Sequence, residues 1–183
     1  MSQNQIQYYL CGGTGINIGV ALKKNSRTEQ NKKAQFVALD SSGANKHYDL
    51  FPVERMLKAG STKEEARGSG KVKATNSPQM EAFVDSCLSK YKPADFNVVV
   101  ANTSGGTGSV IAVMVLRALI KMGKPVVYCA ISDFTSQVDM NNAVGTLRSV
   151  ANQTAANLLN PSIPFIHFTN TTEKTFGQVN EVV

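Results

Sequence analysis

The stretch Asn102-Thr-Ser-Gly-Gly-Thr-Gly-Ser109 constrains the chain more than any other. Before it lies an apolar run, Phe96 to Ala101, which reads as a buried strand. After it lies a long apolar segment, Val110 to Met122, too long for a strand and rich in helix formers, which reads as a buried helix. A glycine loop between a strand and a helix N-terminus suits a phosphate group. Glycines let the backbone approach an anion, the first helical N–H groups have no partner within the helix, and the helix dipole adds partial positive charge. Taken alone, the loop is equally consistent with a tight strand-to-helix turn that holds nothing.

A second unit of the same kind stands near the N-terminus. Ile6 to Cys11 is a candidate strand, Gly12-Gly-Thr-Gly-Ile-Asn-Ile-Gly19 follows, and a helix is expected over 15–24. This resembles a dinucleotide fingerprint. Asp40, after the strand candidate 35–39, stands where such a fold places its ribose-binding acid. An oxidoreductase of that class would leave the other glycine loop, about 90 residues later, without a purpose.

Further along, the pattern predicts a polar stretch Asn25 to Lys33, a loop Asp40 to Lys46 and a short helix around Val53 to Lys58. A helix follows from Pro78 to about Tyr91, with Met80, Phe83, Val84, Cys87 and Leu88 at helical spacing. Strand 96–101, helix 109–122 capped by Gly123, strand 125–131, a polar loop Ser132 to Asn141, helix 142–159 and strand 164–169 complete the alternation. Thr172 to Val183 reads as the start of another helix. Strands alternating with helices predict an α/β fold: a three-layer, Rossmann-like parallel sheet covered on both faces, with both glycine loops at its carboxyl edge.

At 183 residues and 42% apolar side chains, one domain with a substantial core is expected. The longest apolar stretch, Val110 to Leu116, is cut by Arg117, and the polar start MSQNQIQ does not read as a signal peptide. Cys11, Cys87 and Cys129 lack metal spacing and suit reduced thiols in a cytosol, with Cys11 and Cys129 as core residues. The net charge of +6 is scattered, which favours a solvated surface over a nucleic-acid face. Neither His47 nor His167 has a Cys or carboxylate at metal spacing, and no catalytic residue or metal ligand is assigned.

Taken together, these residues resemble the nucleotide-binding domain of the tubulin/FtsZ superfamily, most nearly the tubulin-like proteins of large bacteriophages (PhuZ-type). The superfamily loop GGGTGSG is matched by Ser104-Gly105-Gly106-Thr107-Gly108-Ser109-Val110, with serine for the first glycine and, as in phage members, valine for the last. Gly12-Gly13-Thr14-Gly15-Ile16-Asn17 also looks phage-like. Gly68-Ser69-Gly70 falls where the family has a third phosphate loop, although it is shorter and lacks the family's asparagine. Phe176-Gly-Gln-Val-Asn180 matches the start of the family's central helix. Phe176 and Asn180 are i and i+4 and share a helix face, where an aromatic can stack on a purine and an amide can bond its edge. Asn170 corresponds to a second base-reading asparagine, and Asp139 to the acid of the sugar loop.

The resemblance implies GTP or GDP as ligand, with Mg2+ as an optional companion ion. It implies binding through Gly12, Gly13, Thr14, Asn17, Asp40, Gly68, Gly70, Ser104, Gly105, Gly106, Thr107, Gly108, Ser109, Asp139, Asn170, Phe176 and Asn180. The expected partners are other copies of the chain or a phage structural protein, with no membrane. The expected location is the host bacterial cytoplasm, with virion association as a variant. The match covers nearly all of the chain, read as one domain over 1–183 that ends inside the central helix. The family's hydrolysis-activating acidic loop is expected beyond that point. The first functional expectation is a guanine-nucleotide-binding protein acting in a polymer. The alternative is a virion assembly protein that kept the fold with nucleotide optional.

Overall fold

The structure, a computed structural model, describes residues 5–25, 33–42, 50–56, 77–155 and 163–170. Its elements are β1 (Ile6–Cys11), α1 (Gly12–Lys24), β2 (Gln35–Asp40), β3 (Val53–Arg55), α2 (Ser77–Lys90), β4 (Phe96–Asn102), α3 (Thr107–Lys121), β5 (Val126–Asp133), α4 (Gln137–Ala155) and β6 (Phe165–Asn170). The strands form one six-stranded sheet in the order β3-β2-β1-β4-β5-β6. All five pairings are parallel.

The apolar runs explain the layers. Successive strand side chains point to opposite faces, so a strand buried on both sides is apolar throughout. On one face, Tyr9, Leu39, Val99 and Tyr128 pack with Met80 and Val84 of α2 and with Ile111, Val115 and Leu119 of α3. On the other, Leu10, Phe36, Val100 and Ile131 pack with Ile16, Ile18 and Val20 of α1. Fully burying one such side chain is worth roughly 1.5–3 kcal/mol. Among the buried polar residues, Asn97 and Gln7 in the strands are satisfied by backbone carbonyls. Asn97 donates from Nδ2 to the carbonyls of Ala94 and Pro125, and Gln7 donates to the carbonyl of Gln35.

The expected parallel α/β architecture is present. Gly123 caps α3 at φ +64°. Its N–H donates to the carbonyl of Ile120 and that of Lys124 to the carbonyl of Leu119, the bond pair of a Schellman motif.

Several expected boundaries are corrected. Val53–Arg55 is a strand, not a helix: Ala38, Leu39 and Asp40 of β2 pair with Val53, Glu54 and Arg55. Pairing at the sheet edge outweighs the helix propensity of Glu, Arg, Met and Leu. The loop expected over 132–141 is shorter, because β5 runs to Asp133 and α4 begins at Gln137. Helix α1 begins at Gly12, so the first glycines lie in its opening turn. Residues 156–159, Pro161 and Thr172 to Val183 lie outside the described residues.

The order of strands places a topological switch between β1 and β4. The chain leaves β1 towards one edge through β2 and β3, and leaves β4 towards the other through β5 and β6. Ligands of open α/β sheets bind outside the carboxyl ends of the strands at such a point. Both glycine loops begin there.

Candidate functional site

The two glycine segments touch through their backbones. A Cβ placed on Gly108 would lie 2.6 Å from the Cys11 carbonyl oxygen and 3.0 Å from the Gly12 Cα. One placed on Gly12 would lie 2.9 Å from the Gly108 Cα, and Gly12 also has φ +72°, where L side chains are strained. Gly15 is closed in as well, since its Cβ would meet the Val100 carbonyl oxygen at 2.6 Å. These glycines bring the first turns of α1 and α3 together over the switch point. Gly106, the N-cap of α3, has φ −82° and ψ −77° in the right-handed region. Within the described glycines the demand for positive φ near the site falls on Gly12 instead.

Both helix starts are electropositive and uncapped by side chains. Cys11 and Gly106 are the N-caps, neither makes a side-chain capping bond, and neither helix has an acid in its first turn. The opening N–H groups and two dipole ends therefore share one place. The stretch 102–109 carries no lysine or arginine, so any attraction for an anion there is a backbone property.

Four of the strands end in Asp or Asn, and three of these side chains are spent on the local turn. Asp40 Oδ1 accepts from the Ser41 amide at 2.8 Å. Asn102 Oδ1 accepts from the Ser104 amide at 2.7 Å, and Asp133 Oδ1 from the Thr135 amide at 3.0 Å. Asn170, at the end of β6 and in register with Asp133, differs: its Oδ1 is buried and has no hydrogen-bond partner among the described residues. A buried acceptor left unpaired costs about 1–3 kcal/mol. Such an atom suits a ligand that brings an N–H donor.

Hydroxyl groups hold the phosphate-loop candidate. Thr107 Oγ1 lies 2.7 Å from Ser41 Oγ, in a buried pair that ties the end of β2 to the start of α3. Ser104 Oγ is 2.9 Å from the Asp133 carbonyl, to which it donates, and accepts from the Asp133 amide at 2.8 Å. Ser109 Oγ turns back to the carbonyls of Gly105 and Gly106, 2.6 and 3.0 Å away. From α4, Thr146 Oγ1 donates to the Thr103 carbonyl at 2.7 Å, and Asn142 Nδ2 to the Ser104 carbonyl at 3.3 Å.

Asp139 lies in the first turn of α4. The Ser136 hydroxyl donates to its Oδ2 at 2.6 Å, and its own amide donates to Ser136 Oγ at 3.1 Å, the second being the N-cap half of a capping box. The pattern Ser136-x-x-Asp139 announces this start, and sequence reading passed over it. Sequence reading also missed Ser41, Ser132, Asn142 and Thr146. These are short polar residues at strand and helix ends, and only the fold brings them to the loop.

Of the expected site residues, Gly12 and Ser104 to Ser109 gather at the switch point, linked through Ser41 to Asp40 and through Asp133 to the end of β6. Gly13 and Thr14 are half-buried in the first turn of α1, while Asn17 is exposed one turn on. Asp40 and Asp139 are both buried, at 4% exposure each. Gly68, Gly70, Phe176 and Asn180 lie outside the described residues. Among the described residues no group of three or more His, Cys, Asp or Glu gathers to hold a metal, and no helix is long and apolar enough to cross a membrane.

No protein-family model matches the chain. A phage tubulin-like protein of Pseudomonas phage PhiPA3 is 30% identical to it over 156 residues, covering 85% of this chain and 45% of that protein. In fold, the chain is similar to the TubZ protofilament of bacteriophage PhiKZ, with a TM-score of 0.81 at 21% identity over 97% of this chain and 53% of that one. It is also similar to the phage tubulin PhuZ with GDP, with a TM-score of 0.79 at 17% identity over 97% of this chain and 52% of that one. The chain spans less than half the length of the curated relatives it matches.

Proposed function

We propose, from the premise that this chain belongs to the tubulin/FtsZ superfamily and is similar to its phage tubulin-like members, that it binds a guanine nucleotide at the β1–β4 switch point and acts in a filament. The observation that carries the proposal is the meeting of two uncapped helix N-termini at Gly12 and Gly108, which a polyphosphate fits and an apolar ligand does not.

In this reading the first turns of α1 and α3 hold the phosphates through backbone N–H groups, with Gly105 and Gly106 leaving room for close approach. Asn170 reads the base: its Oδ1, unpartnered among the described residues, accepts from a ring N–H of guanine, whereas adenine offers only its exocyclic amine. Asp139 and Asp40 serve the sugar and phosphate sides, and Phe176 and Asn180 the base. Mg2+, where it accompanies the nucleotide, would be held chiefly by the phosphates, as this ion commonly is. The bound nucleotide supplies a cleavable phosphoanhydride, and the residues above bind and orient it.

Support for a filament comes from the likeness to a TubZ protofilament, and support for the nucleotide from the likeness to a phage tubulin with GDP. The test is calorimetry of the chain with GDP, GTP and ATP, alongside sedimentation with and without GTP. Guanine nucleotides are expected to bind at least about tenfold more tightly than ATP, the scale of one good hydrogen-bonded base contact, and GTP to promote assembly. Equal affinity for ATP would remove the base assignment. Assembly without any nucleotide binding would favour the structural alternative.

A further inference from the structure

We infer that His167 is a positioning residue for the phosphate loop, acting from the sheet edge through Ser132 and Thr103. His167 Nε2 lies 2.7 Å from Ser132 Oγ, and Ser132 Oγ lies 2.6 Å from Thr103 Oγ1. Thr103 is the first residue after the strand-end Asn102, and it carries the turn into Ser104. The path crosses β6, β5 and β4 in turn. Ser132 and Thr103 are fully buried, whereas His167 is exposed on an edge strand.

Counting protons assigns a direction to the path. The Thr103 hydroxyl lies 3.2 Å from the Ile131 carbonyl and donates to it. Having one proton, it can then only accept from Ser132, and Ser132, with its own proton spent, can only accept from His167. Nε2 of His167 is therefore the donor that starts the series. Loss of this N–H leaves Ser132 to reorient and frees Thr103 from one of its restraints. Thr103 is the place where such a change reaches the loop. Its amide donates to the Ile131 carbonyl at 2.7 Å, and its carbonyl accepts from Thr146 of α4.

The inference rests on the nucleotide reading only for its binding arm. The test uses the full chain and three variants: His167→Gln, which keeps an N–H donor, His167→Leu, which does not, and Ser132→Ala. Two quantities are measured: deuterium exchange of backbone amides in 102–109 without ligand, and affinity for GDP. His167→Leu should speed loop exchange roughly five- to tenfold, the scale of one buried hydrogen bond, and weaken GDP binding. His167→Gln should stay within about twofold of the parent. In the Ser132→Ala background, His167→Leu should add nothing, because the path is already cut. Unchanged loop exchange in His167→Leu, equal behaviour of the Gln and Leu variants, or additive effects with Ser132→Ala would each overturn the assignment. If the parent chain binds no GDP, the nucleotide reading fails while the exchange arm still decides the role of His167.

Discussion

Gly108 and Gly12 face each other with no room for a side chain on either: a Cβ on Gly108 would sit 3.0 Å from the Gly12 Cα, and 2.6 Å from the Cys11 carbonyl oxygen. Neither neighbour is the loose end of a side chain that could swing away. Gly108→Ala should therefore separate the two helix starts and cost about 1–3 kcal/mol of stability. Gly105→Ala, whose Cβ would find, among the described residues, only the Asn102 carbonyl oxygen at 3.7 Å, should stay within about 0.5 kcal/mol. Urea unfolding of both variants checks the contrast, and a reversed order would mean that the loops do not meet as described.

The Ser41–Thr107 hydroxyl pair makes a second prediction. Removing one hydroxyl strands the other in the interior, so Ser41→Ala and Thr107→Val should each destabilise by about 1–3 kcal/mol. The double variant should cost clearly less than their sum, since nothing is then left unpaired. A double-mutant cycle measures this directly, and strict additivity would show that the two hydroxyls are not partners.

Burial pushes the thiols of Cys87 and Cys129 up from an ordinary value of 9.0 to about 12 and about 11, and pushes Cys11 up further. The sign for stability follows. Above pH 9 the unfolded chain releases thiol protons that the folded chain retains, so the unfolded state is favoured progressively as pH rises towards 11–12. The tyrosines Tyr8, Tyr9 and Tyr128, also raised by burial, act in the same direction. Urea midpoints should be level between pH 7 and 8 and fall from about pH 9. A Cys129→Ala variant should show a shallower fall, whatever its stability at neutral pH. An identical slope would place that thiol outside the effect.

Tyr128 is fully buried, and its hydroxyl has no hydrogen-bond partner among the described residues. Tyr128→Phe keeps the ring and its contact with Phe165, whose centroid is 5.6 Å away, while removing an unsatisfied polar atom. It should be neutral or stabilising by up to about 1 kcal/mol in thermal unfolding. A clear loss of stability would reveal a partner for that oxygen.

The parts of this molecule that were legible in the sequence are those set by local chemistry. The Val98-Val99-Val100 run, the glycines after β1 and β4 and the Gly123 cap all declare themselves within a few residues. Val53–Arg55 did not, because nothing in Val-Glu-Arg says that an edge of β2 will pair with it. The start of α4 was legible in Ser136-x-x-Asp139, but the polar run around it hid the signal. The groups that fasten the loop were not legible. Ser41 lies 66 residues from Thr107, and Thr146 lies 43 from Thr103. A lone serine or threonine at a strand end looks the same whether it meets water or a distant hydroxyl. The orphaned oxygen of Asn170 is likewise visible only once its neighbours are in place.

The order of the strands also governs when the site can exist. β1 finds its partner β4 only after the intervening residues close a loop, with Ile6 in register with Phe96 and Cys11 with Ala101. Pairings so distant in sequence are slow to form, because closure entropy must be met before any contact rewards it. The cradle between Gly12 and Gly108 is therefore absent from a nascent chain that has not yet delivered β4 and the start of α3. During synthesis, any capacity of this cradle to hold an anion should appear abruptly, as a sign that the centre of the sheet has closed.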